Sequence, residues 1–264
     1  MKIVAEIGLA HEGSLGRAMA FIDAVAAAGA DAVKFQCHDG DPTDKFREGT
    51  SFPQDGCRRA YWERTSFSGN EWRQLLGRTK ANGLEFGCSI FAPRAIDSVG
   101  WLVDFWKIPS SRIDMQAMLT DGKPIVVSDG WAQHENLQHF AKWLRSCDYL
   151  LHCVSQYPCD PTLINLARWG AELTCSDCQA QLGISDHSGT IWPSVEAASL
   201  AFQMAEVHVC MSRHDFGPDV SSSITIEELK QLVEGVRFIE KGIQRNASRG
   251  DRLAAAKEVM GVFG

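Results

Sequence analysis

The sequence predicts an α/β protein with a single-domain (β/α)8 TIM barrel, and three observations support that fold class. Short apolar strand patterns alternate with helix patterns along the chain, and eight such units fit into about 240 residues. The length of 264 residues suits one barrel. No glycine-rich phosphate-binding motif follows the first strand, which argues against the main alternative, an open doubly wound sheet.

Eight segments have the composition of buried strands and are bounded by turn residues. They are residues 2–8, 31–36, 84–90, 105–110, 123–130, 149–155, 181–188 and 205–212. Capping and stop residues predict helices at 14–28 and 68–82, and an amphipathic pattern predicts a last helix at 225–242. The polar stretch 37–68 is longer than an ordinary connection, which favours a functional loop.

Composition limits the classes of function. Apolar residues make up 45% of the chain and charged residues 22%, as in soluble globular proteins. The net charge of −7 argues against binding of nucleic acid polymers. Nine scattered cysteines, several of them inside apolar strands, indicate a reducing compartment. No apolar run is long enough to span a membrane, and Glu6 interrupts the apolar start of the chain, so we expect a cytoplasmic protein.

Polar residues recur on one face of the predicted strands. In the second strand Lys34 and Gln36 alternate with Val33 and Phe35, and successive side chains point to opposite faces. The same parity assigns further residues to the polar face: Glu6, Ser185, His187, Glu206, His208 and Cys210. The apolar face suits packing against helices, so we expect the polar face to point into the barrel. The polar residues gather towards strand C-terminal ends, where barrel active sites lie.

These residue types permit a specific chemistry. His187 and His208, on adjacent strands, could bind one divalent cation in an octahedral, Mn²⁺-like shell completed by carboxylates or substrate oxygens. A cationic, hydroxyl-lined cradle for a phosphate is expected from Lys34, Lys107, Ser89, Ser110, Ser128 and Ser185. A metal beside a phosphate cradle suggests Lewis-acid chemistry on a phosphorylated substrate. From the spacing alone, this hypothesis and that of a barrel of unknown role are about equally well supported.

Several blocks of sequence resemble the sialic acid synthase (N-acetylneuraminate synthase) family, in its barrel domain only. They are AEIGLAHEGSLGRAMAFIDAVAAAGADAVKFQ, WKIPSS, KPIVVSDG, LLHCVSQYP, LGISDHSG and EVHVCMSRHDFGPDVSSS. They follow the family order across residues 3–242, and their combination is highly specific. The resemblance implies a barrel that condenses phosphoenolpyruvate with a sugar aldehyde, releasing phosphate and giving a 3-deoxy-2-keto sugar acid.

The resemblance also implies roles for individual residues. His187 and His208 become the ligands of a divalent metal, Mn²⁺ by expectation, with Mg²⁺ or Co²⁺ as alternatives. The positions that hold phosphoenolpyruvate are Lys34, Ser89, Lys107, Ser110, Ser128 and Ser185. The positions that meet the sugar are Glu6, Gln36, Tyr157 and Asp219. The catalytic candidates are Glu6, Lys34 and Glu206, and either glutamate could move a proton to or from the water that adds during the reaction.

The chain departs from the family pattern mainly at the sugar end. Arg112 replaces an acidic residue, Asp129 and Trp131 are new, and Ala10 stands where the family has asparagine. We expect a barrel over 1–243 and a tail with a short helix over 244–264, without the family's antifreeze-like domain. Arg112 is a candidate substrate anchor, so the expected acceptor is more anionic than N-acetylmannosamine. Any homo-oligomer would form through barrel surfaces.

Other interpretations stay open at this point. One is a metal-dependent barrel of another class, such as an aldose isomerase or a phosphoester hydrolase. Another is a degenerate barrel that acts as a sugar-binding subunit. His11 is a candidate for bracing the loop after the first strand. Most tryptophans, including Trp62, are expected in core or helix packing, and Trp131 is the one expected to contact substrate.

Overall fold

The computed structural model describes residues 1–38, 58–112, 119, 121–130, 141–174 and 178–247. Within these ranges, eight parallel strands pair in sequence order, and the first also pairs with the eighth, which closes the sheet into a barrel. The strands are β1 Lys2–Gly8, β2 Ala32–Cys37, β3 Glu85–Ile90, β4 Phe105–Ile108, β5 Ile125–Ser128, β6 Tyr149–Cys153, β7 Gln181–Asp186 and β8 Met204–Cys210. The predicted fold class is confirmed.

The described helices lie between strands or follow the last one. They are α1 Leu15–Ala28, α2 Arg58–Thr65, α3 Gly69–Ala81, α4 Pro93–Val99, α5 Leu166–Thr174, α6 Trp192–Ser199 and α7 Ile226–Ala247. The predicted caps are present: the Ser14 hydroxyl accepts the Arg17 N–H, and Gly29 ends α1 in the left-handed conformation. None of the described helices is both long and apolar enough to cross a membrane.

The structure differs from the predicted elements mainly at their ends. The predicted strands 105–110 and 181–188 stop at Ile108 and Asp186, because the last residues leave the sheet to form loops around the barrel opening. A short strand, β9 Ile224–Thr225, was not predicted and pairs in parallel with β8. Helix α7 extends to Ala247, and the predicted tail from residue 248 onwards lies outside the described residues.

Side-chain alternation divides the barrel into an outer and an inner layer. Outward residues such as Ile3, Val33 and Phe35 join the main apolar cluster with the helices, as predicted from strand parity. Inward residues near the strand N-termini form a separate apolar cluster, here called the floor: Val4, Ala32, Phe105, Val126, Leu151 and Met204. The Phe105 ring fits inside the barrel because the neighbouring inward residue on β3 is Gly87. A Cβ at residue 87 would lie 2.3 Å from the Phe105 Cζ atom. The floor therefore seals one end of the barrel.

Candidate active site

A ring of polar residues lies directly above the floor. Because inward side chains recur every second residue, the next inward position after the floor falls at the same level on each strand. Every strand contributes one member, and together they define the charged ring: Glu6, Lys34, Ser89, Lys107, Ser128, Cys153, Ser185 and Glu206. All eight side chains are buried.

Ion pairs and hydrogen bonds connect the members of the charged ring. The Lys34 Nζ atom lies 2.6 Å from Glu6 Oε2 and 3.7 Å from Glu206 Oε1, and it donates a hydrogen bond of 2.5 Å to Ser89. The Lys107 ammonium donates to Glu206 Oε1 at 2.8 Å and to Ser128 at 2.7 Å. Two buried ammonium groups are thus balanced by two carboxylates, which offsets the cost of removing the charges from water.

These pairs shift the pKa values of the ring. Burial raises the pKa of Glu206, but the Lys107 and Lys34 ammonium groups outweigh it and lower the pKa to about 2. Burial lowers the pKa of Lys34, yet Glu206 and Glu6 reverse this effect and the net pKa is raised. Burial holds the pKa of Lys107 below its ordinary value although Glu206 opposes it. Glu206 is therefore ionised at neutral pH.

One carboxylate oxygen of Glu206 makes no hydrogen bond with the described residues. Glu206 Oε1 accepts hydrogen bonds from Lys107 and, at 3.0 Å, from Ser185. The second oxygen, Oε2, is buried and has no hydrogen-bond partner among the described residues. Since Glu206 lines the cavity above the ring, this oxygen can accept a hydrogen bond from a small donor within that cavity.

The cavity above the charged ring has a volume of about 360 Å³. The ring forms its base, and a second set of residues, here called the mouth, forms its upper wall. The mouth comprises Leu9, Gln36, His38, Trp62, Phe91, Pro109, Ser110, Ser111, Tyr157, His187, His208, Pro218 and Asp219. The base is thus charged and the mouth is mostly aromatic and polar.

Two histidines stand together in the mouth. The ring centroids of His187 and His208 are 5.3 Å apart, and both side chains are buried. Asp219 Oδ2 lies 3.9 Å from His208 Nδ1, and the Tyr157 ring centroid lies 4.3 Å from that of His187. Burial, with the nearby His208, holds the pKa of His187 well below its ordinary value, so its imidazole is neutral. Neutral imidazoles are metal ligands.

The fit of a metal to these residues can be tested by geometry. Two imidazoles that share one ion at ordinary metal–nitrogen distances have centroids roughly 5 Å apart, as His187 and His208 do. The described residues contain no group of three or more His, Cys, Asp or Glu side chains arranged for a metal. The pair therefore fits an ion whose remaining ligands are substrate oxygens or water.

The structure brings together nearly all residues predicted for the site. Lys34, Lys107, both histidines and all the other predicted residues except Arg112 line this one cavity. Arg112 follows Ser110 and Ser111 and is half-buried, but it is not among the lining residues. Lys34, predicted as part of a phosphate cradle, has Glu6 as its nearest carboxylate. The functional roles of these residues stay predictions.

The departures from the family pattern have different surroundings. Asp129 lies outside the cavity lining and accepts hydrogen bonds from the Cys153 N–H at 2.8 Å and from Trp169 Nε1 at 2.6 Å, so it connects β5 to β6 and α5. His11 is buried and accepts the Gly13 N–H at 3.1 Å, which agrees with a bracing role. The predicted substrate contact of Trp131 lies outside the described residues.

Sequence reasoning missed several lining residues. Cys153 could have been found, because it follows Leu151 by two positions on the inward face of β6. His38 and Phe91 lie just past the ends of β2 and β3, yet they continue the two-residue period of Gln36 and of Ser89, so that period could have found them. Trp62 was predicted in packing and instead lines the cavity from α2. No local signal marks it, since α2 has no regular apolar face to define which side turns inwards.

Relatives with curated names match most of the chain. The N,N′-diacetyllegionaminic acid synthase of Legionella pneumophila is 28% identical over 259 residues, which cover 90% of this chain and 72% of that protein. The human N-acetylneuraminate-9-phosphate synthase is 28% identical over 262 residues, covering 91% of this chain and 70% of the human protein. Both relatives are named as synthases of sugar acids.

Solved structures and a family comparison agree with these matches. The N-acetylneuraminic acid synthetase of Leptospira borgpetersenii, solved in complex with citrate, superposes with a TM-score of 0.79 at 26% identity, covering 91% of this chain and 84% of that chain. The sequence pattern of the NeuB family matches residues 21–247. With its closed barrel and its chain-wide similarity to sugar-acid synthases, this protein belongs to the NeuB family.

Proposed function

We propose that this protein is a synthase that condenses phosphoenolpyruvate with a sugar aldehyde, forming a carbon–carbon bond and releasing phosphate. The observation that carries the proposal is the charged ring, in which two buried lysines and three serines lie beneath a histidine pair in one cavity. Membership of the NeuB family and the names of the relatives support an enzyme of this class.

The base of the cavity is suited to phosphoenolpyruvate. The phosphate and carboxylate of this substrate need cationic and hydroxyl donors, which Lys34, Lys107, Ser89, Ser128 and Ser185 supply. In the structure these donors face Glu6 and Glu206. Binding therefore requires the lysines to exchange part of their contact with the glutamates for contact with the substrate, and the ring holds both ammonium groups in place before the substrate arrives.

The mouth of the cavity is suited to the acceptor. Gln36, Tyr157 and Asp219 in the mouth, with Glu6 at the base below them, offer hydrogen-bond partners for a polyol, and Gln36 Nε2 already donates to Glu6 Oε1 at 2.9 Å. His187 and His208 would hold a divalent cation, with Mn²⁺ the first candidate and Mg²⁺ or Co²⁺ the alternatives. When bound, such an ion supplies Lewis-acid polarisation of the acceptor's aldehyde oxygen. The acceptor would lie between the histidine pair and the base.

Glu206 is the residue that we assign to the attacking water. The family reaction adds water to the carbon that bears the phosphate, after which phosphate leaves by cleavage of the carbon–oxygen bond. The free Oε2 atom of Glu206 accepts a hydrogen bond from that water and orients it. Because the pKa of Glu206 is lowered to about 2, the carboxylate is an acceptor at every working pH. Glu6 is held by Lys34 and Gln36.

The decisive experiment follows the bridging oxygen of phosphoenolpyruvate. The full chain is incubated with Mn²⁺, phosphoenolpyruvate labelled with a heavy isotope in the bridging oxygen, and a panel of aldoses and aminosugars. We expect phosphate release that depends on the acceptor and carries the label, together with a 2-keto acid product. Label retained in pyruvate indicates a phosphoester hydrolase. Interconversion of aldoses without phosphate release indicates an isomerase, and no release and no binding indicate a sugar-binding subunit.

A matched pair of lysine variants identifies the site responsible. Lys34→Ala removes a buried ammonium of the ring, whereas Lys80→Ala removes an exposed ammonium that pairs with Asp104 on the outside of the barrel. Lys34→Ala is expected to lower phosphoenolpyruvate affinity by about 100-fold, and Lys80→Ala to leave it within about twofold. Equal affinity in the two variants would contradict the proposal.

A further inference from the structure

Three aromatic side chains form one wall of the mouth. The Trp62 and His38 rings are stacked, with centroids 4.2 Å apart and an angle of 11° between their planes. His38 also stacks on Phe91, at 4.0 Å and 19°. All three line the cavity, and this set of Trp62, His38 and Phe91 is here called the aromatic wall. The His38 Nε2 atom lies 3.0 Å from Gln36 Oε1, which connects the wall to the polar side of the mouth.

The aromatic wall separates two cavities. Behind it lies a second cavity of about 100 Å³, lined by Cys37, Thr65, Ser66, Phe67 and Trp72 on its far side. Both cavities share Leu9, Gln36, His38 and Trp62 as lining residues. The Trp62 ring is the largest of these side chains. Its size therefore determines how much room the main cavity offers on this side.

A cluster of polar contacts holds helix α2, and with it Trp62, against the barrel. Glu12, in the loop after β1, accepts hydrogen bonds from the Tyr61 hydroxyl at 2.6 Å and from Arg64 Nη2 at 2.8 Å. Arg64 Nη1 also donates to the Glu12 carbonyl at 3.1 Å. These two partners flank Trp62 in the sequence. We call Glu12, Tyr61 and Arg64 the α2 clamp.

The backbone beneath the α2 clamp is specialised for this contact. Glu12 adopts a left-handed conformation with φ of 56°, which is uncommon for a residue with a side chain. The next residue, Gly13, has φ of 77°, and a Cβ there would lie 2.4 Å from the Arg64 carbonyl oxygen. The loop can approach α2 this closely only because residue 13 is glycine. Conformational strain at Glu12 thus accompanies a contact that fixes Trp62.

We propose that Trp62 is the residue that selects the acceptor: its ring packs against an apolar face of the sugar, and the α2 clamp positions it there. This inference rests on the proposed function and deepens it. The charged ring lies at the base of the cavity and the aromatic wall lies in the mouth, so Trp62 does not serve phosphoenolpyruvate. The Trp62 ring stacks on His38, which in turn contacts Gln36, so this side of the mouth offers a sugar both an apolar surface and a hydrogen-bond partner.

The test measures sugar binding apart from turnover. Alditols of mannose, N-acetylmannosamine and arabinose have no aldehyde and cannot react, so they are titrated calorimetrically into the full chain with and without phosphoenolpyruvate. We expect at least one alditol to bind, and Trp62→Ala to weaken that binding by about tenfold. Phosphoenolpyruvate affinity is expected to stay within about twofold, and Trp62→Phe to recover most of the loss.

Control variants separate selection from folding. Trp101→Ala removes an exposed tryptophan that packs on Arg73 away from the cavity, and it is expected to change neither affinity. Trp62→Met keeps apolar volume but removes the ring, so it still tests the ring if Trp62→Ala folds badly. We expect it to bind the alditol as weakly as is expected for Trp62→Ala. The inference is overturned if no alditol binds the unmodified chain, if both Trp62 variants bind it normally, or if they lose phosphoenolpyruvate to the same extent.

A separate substitution tests whether the α2 clamp positions Trp62. Glu12→Gln weakens the hold on Tyr61 and Arg64 without touching the cavity, so it should weaken alditol binding several-fold while phosphoenolpyruvate affinity is unchanged. In the Trp62→Met background the same change should have little further effect, because the ring that the clamp positions is absent. Additive effects of the two substitutions would contradict the positioning role. Failure of the proposed function would be seen separately, as absence of labelled phosphate.

Discussion

The base and the mouth of the cavity are built in different ways. In the charged ring, each side chain is fixed by its strand and by register with its neighbours: Glu6 stands opposite Lys34, and Ser89 opposite Lys107. In the mouth, Gln36 and His208 still stand on strands, but most side chains come from loop residues such as His187 and Asp219, and Trp62 comes from helix α2. Strands held on both sides cannot shift one residue without changing face, whereas loops and helix ends can vary.

This difference predicts that the mouth tolerates substitution more readily than the charged ring does. The two lysines and two glutamates of the ring form an ion-pair network, so removal of one of them leaves a buried charge with fewer partners. These four residues are therefore constrained by stability. The aromatic wall and the α2 clamp involve local contacts, which can be exchanged at smaller energetic cost.

The largest effect is expected from breaking the ring. Lys107→Ala leaves Glu206 buried with only Lys34 and Ser185 nearby, so we expect the free energy of unfolding to fall by about 3 kcal/mol. Phosphoenolpyruvate affinity should fall by about 100-fold. Chemical denaturation and calorimetric titration measure the two effects.

A charge-balanced variant separates stability from binding in the ring. Lys107→Met combined with Glu206→Gln removes one charge of each sign and leaves the Lys34–Glu6 pair intact. It should regain most of the lost stability and still bind phosphoenolpyruvate poorly. Recovery of binding in this variant would show that Lys107 does not hold the substrate.

A smaller effect is expected from neutralising the carboxylate alone. In Glu206→Gln the amide oxygen stays with the Lys107 and Ser185 donors and the amide nitrogen takes the place of Oε2. The acceptor that we assign to the attacking water is then lost, so turnover should fall by about 10²- to 10³-fold. Phosphoenolpyruvate affinity should rise or stay constant, because the ring then carries one net positive charge. Rapid-quench phosphate release and equilibrium titration measure these quantities. Glu172→Gln, at an exposed pair with Arg168, is the matched control. Turnover within threefold of normal would remove Glu206 from the chemistry.

The stability contributed by His11, which braces the loop after β1, should depend on pH. Burial lowers the pKa of His11 to about 4, so the imidazole is neutral in the folded protein. Its contribution to stability is present above the unfolded pKa of about 6.5 and is lost as the pH falls towards 4. Between pH 7 and pH 5 this group alone should cost about 2 kcal/mol. His11→Asn, which keeps an acceptor for Gly13, should flatten that dependence in denaturant unfolding, and an unchanged slope would contradict it.

The smallest effect is expected at Arg112. This side chain does not line the cavity, although the sequence marked it as an anchor for an anionic acceptor. Arg112→Ala should change the KM for the acceptor by less than about threefold, as for substitutions away from a site. Steady-state kinetics with the acceptor found in the label experiment measures this. A tenfold rise in that KM, with the KM for phosphoenolpyruvate unchanged, would instead restore the anionic-acceptor hypothesis.

The amino-acid sequence by itself determined the barrel and most of the charged ring. Alternating strand and helix patterns predicted the fold, and the two-residue period placed Lys34, Ser185 and Glu206 inside, because pleating fixes the direction of every side chain along a strand. The phosphate chemistry expected of lysines and serines added Ser89, Lys107 and Ser128, and the resemblance to known synthases gave these residues the same role. All three also line the cavity.

Only the tertiary structure decided the partners within the ring and the composition of the mouth. The Lys107–Glu206 pair joins β4 to β8, residues far apart in the chain, and no local pattern encodes such a pairing. Trp62 enters the cavity, and Arg112 stays out of its lining, because loops and short helices follow no fixed period. The direction of Trp62 is determined by contacts such as those of Glu12 with Tyr61 and Arg64, which join helix α2 to the loop after β1.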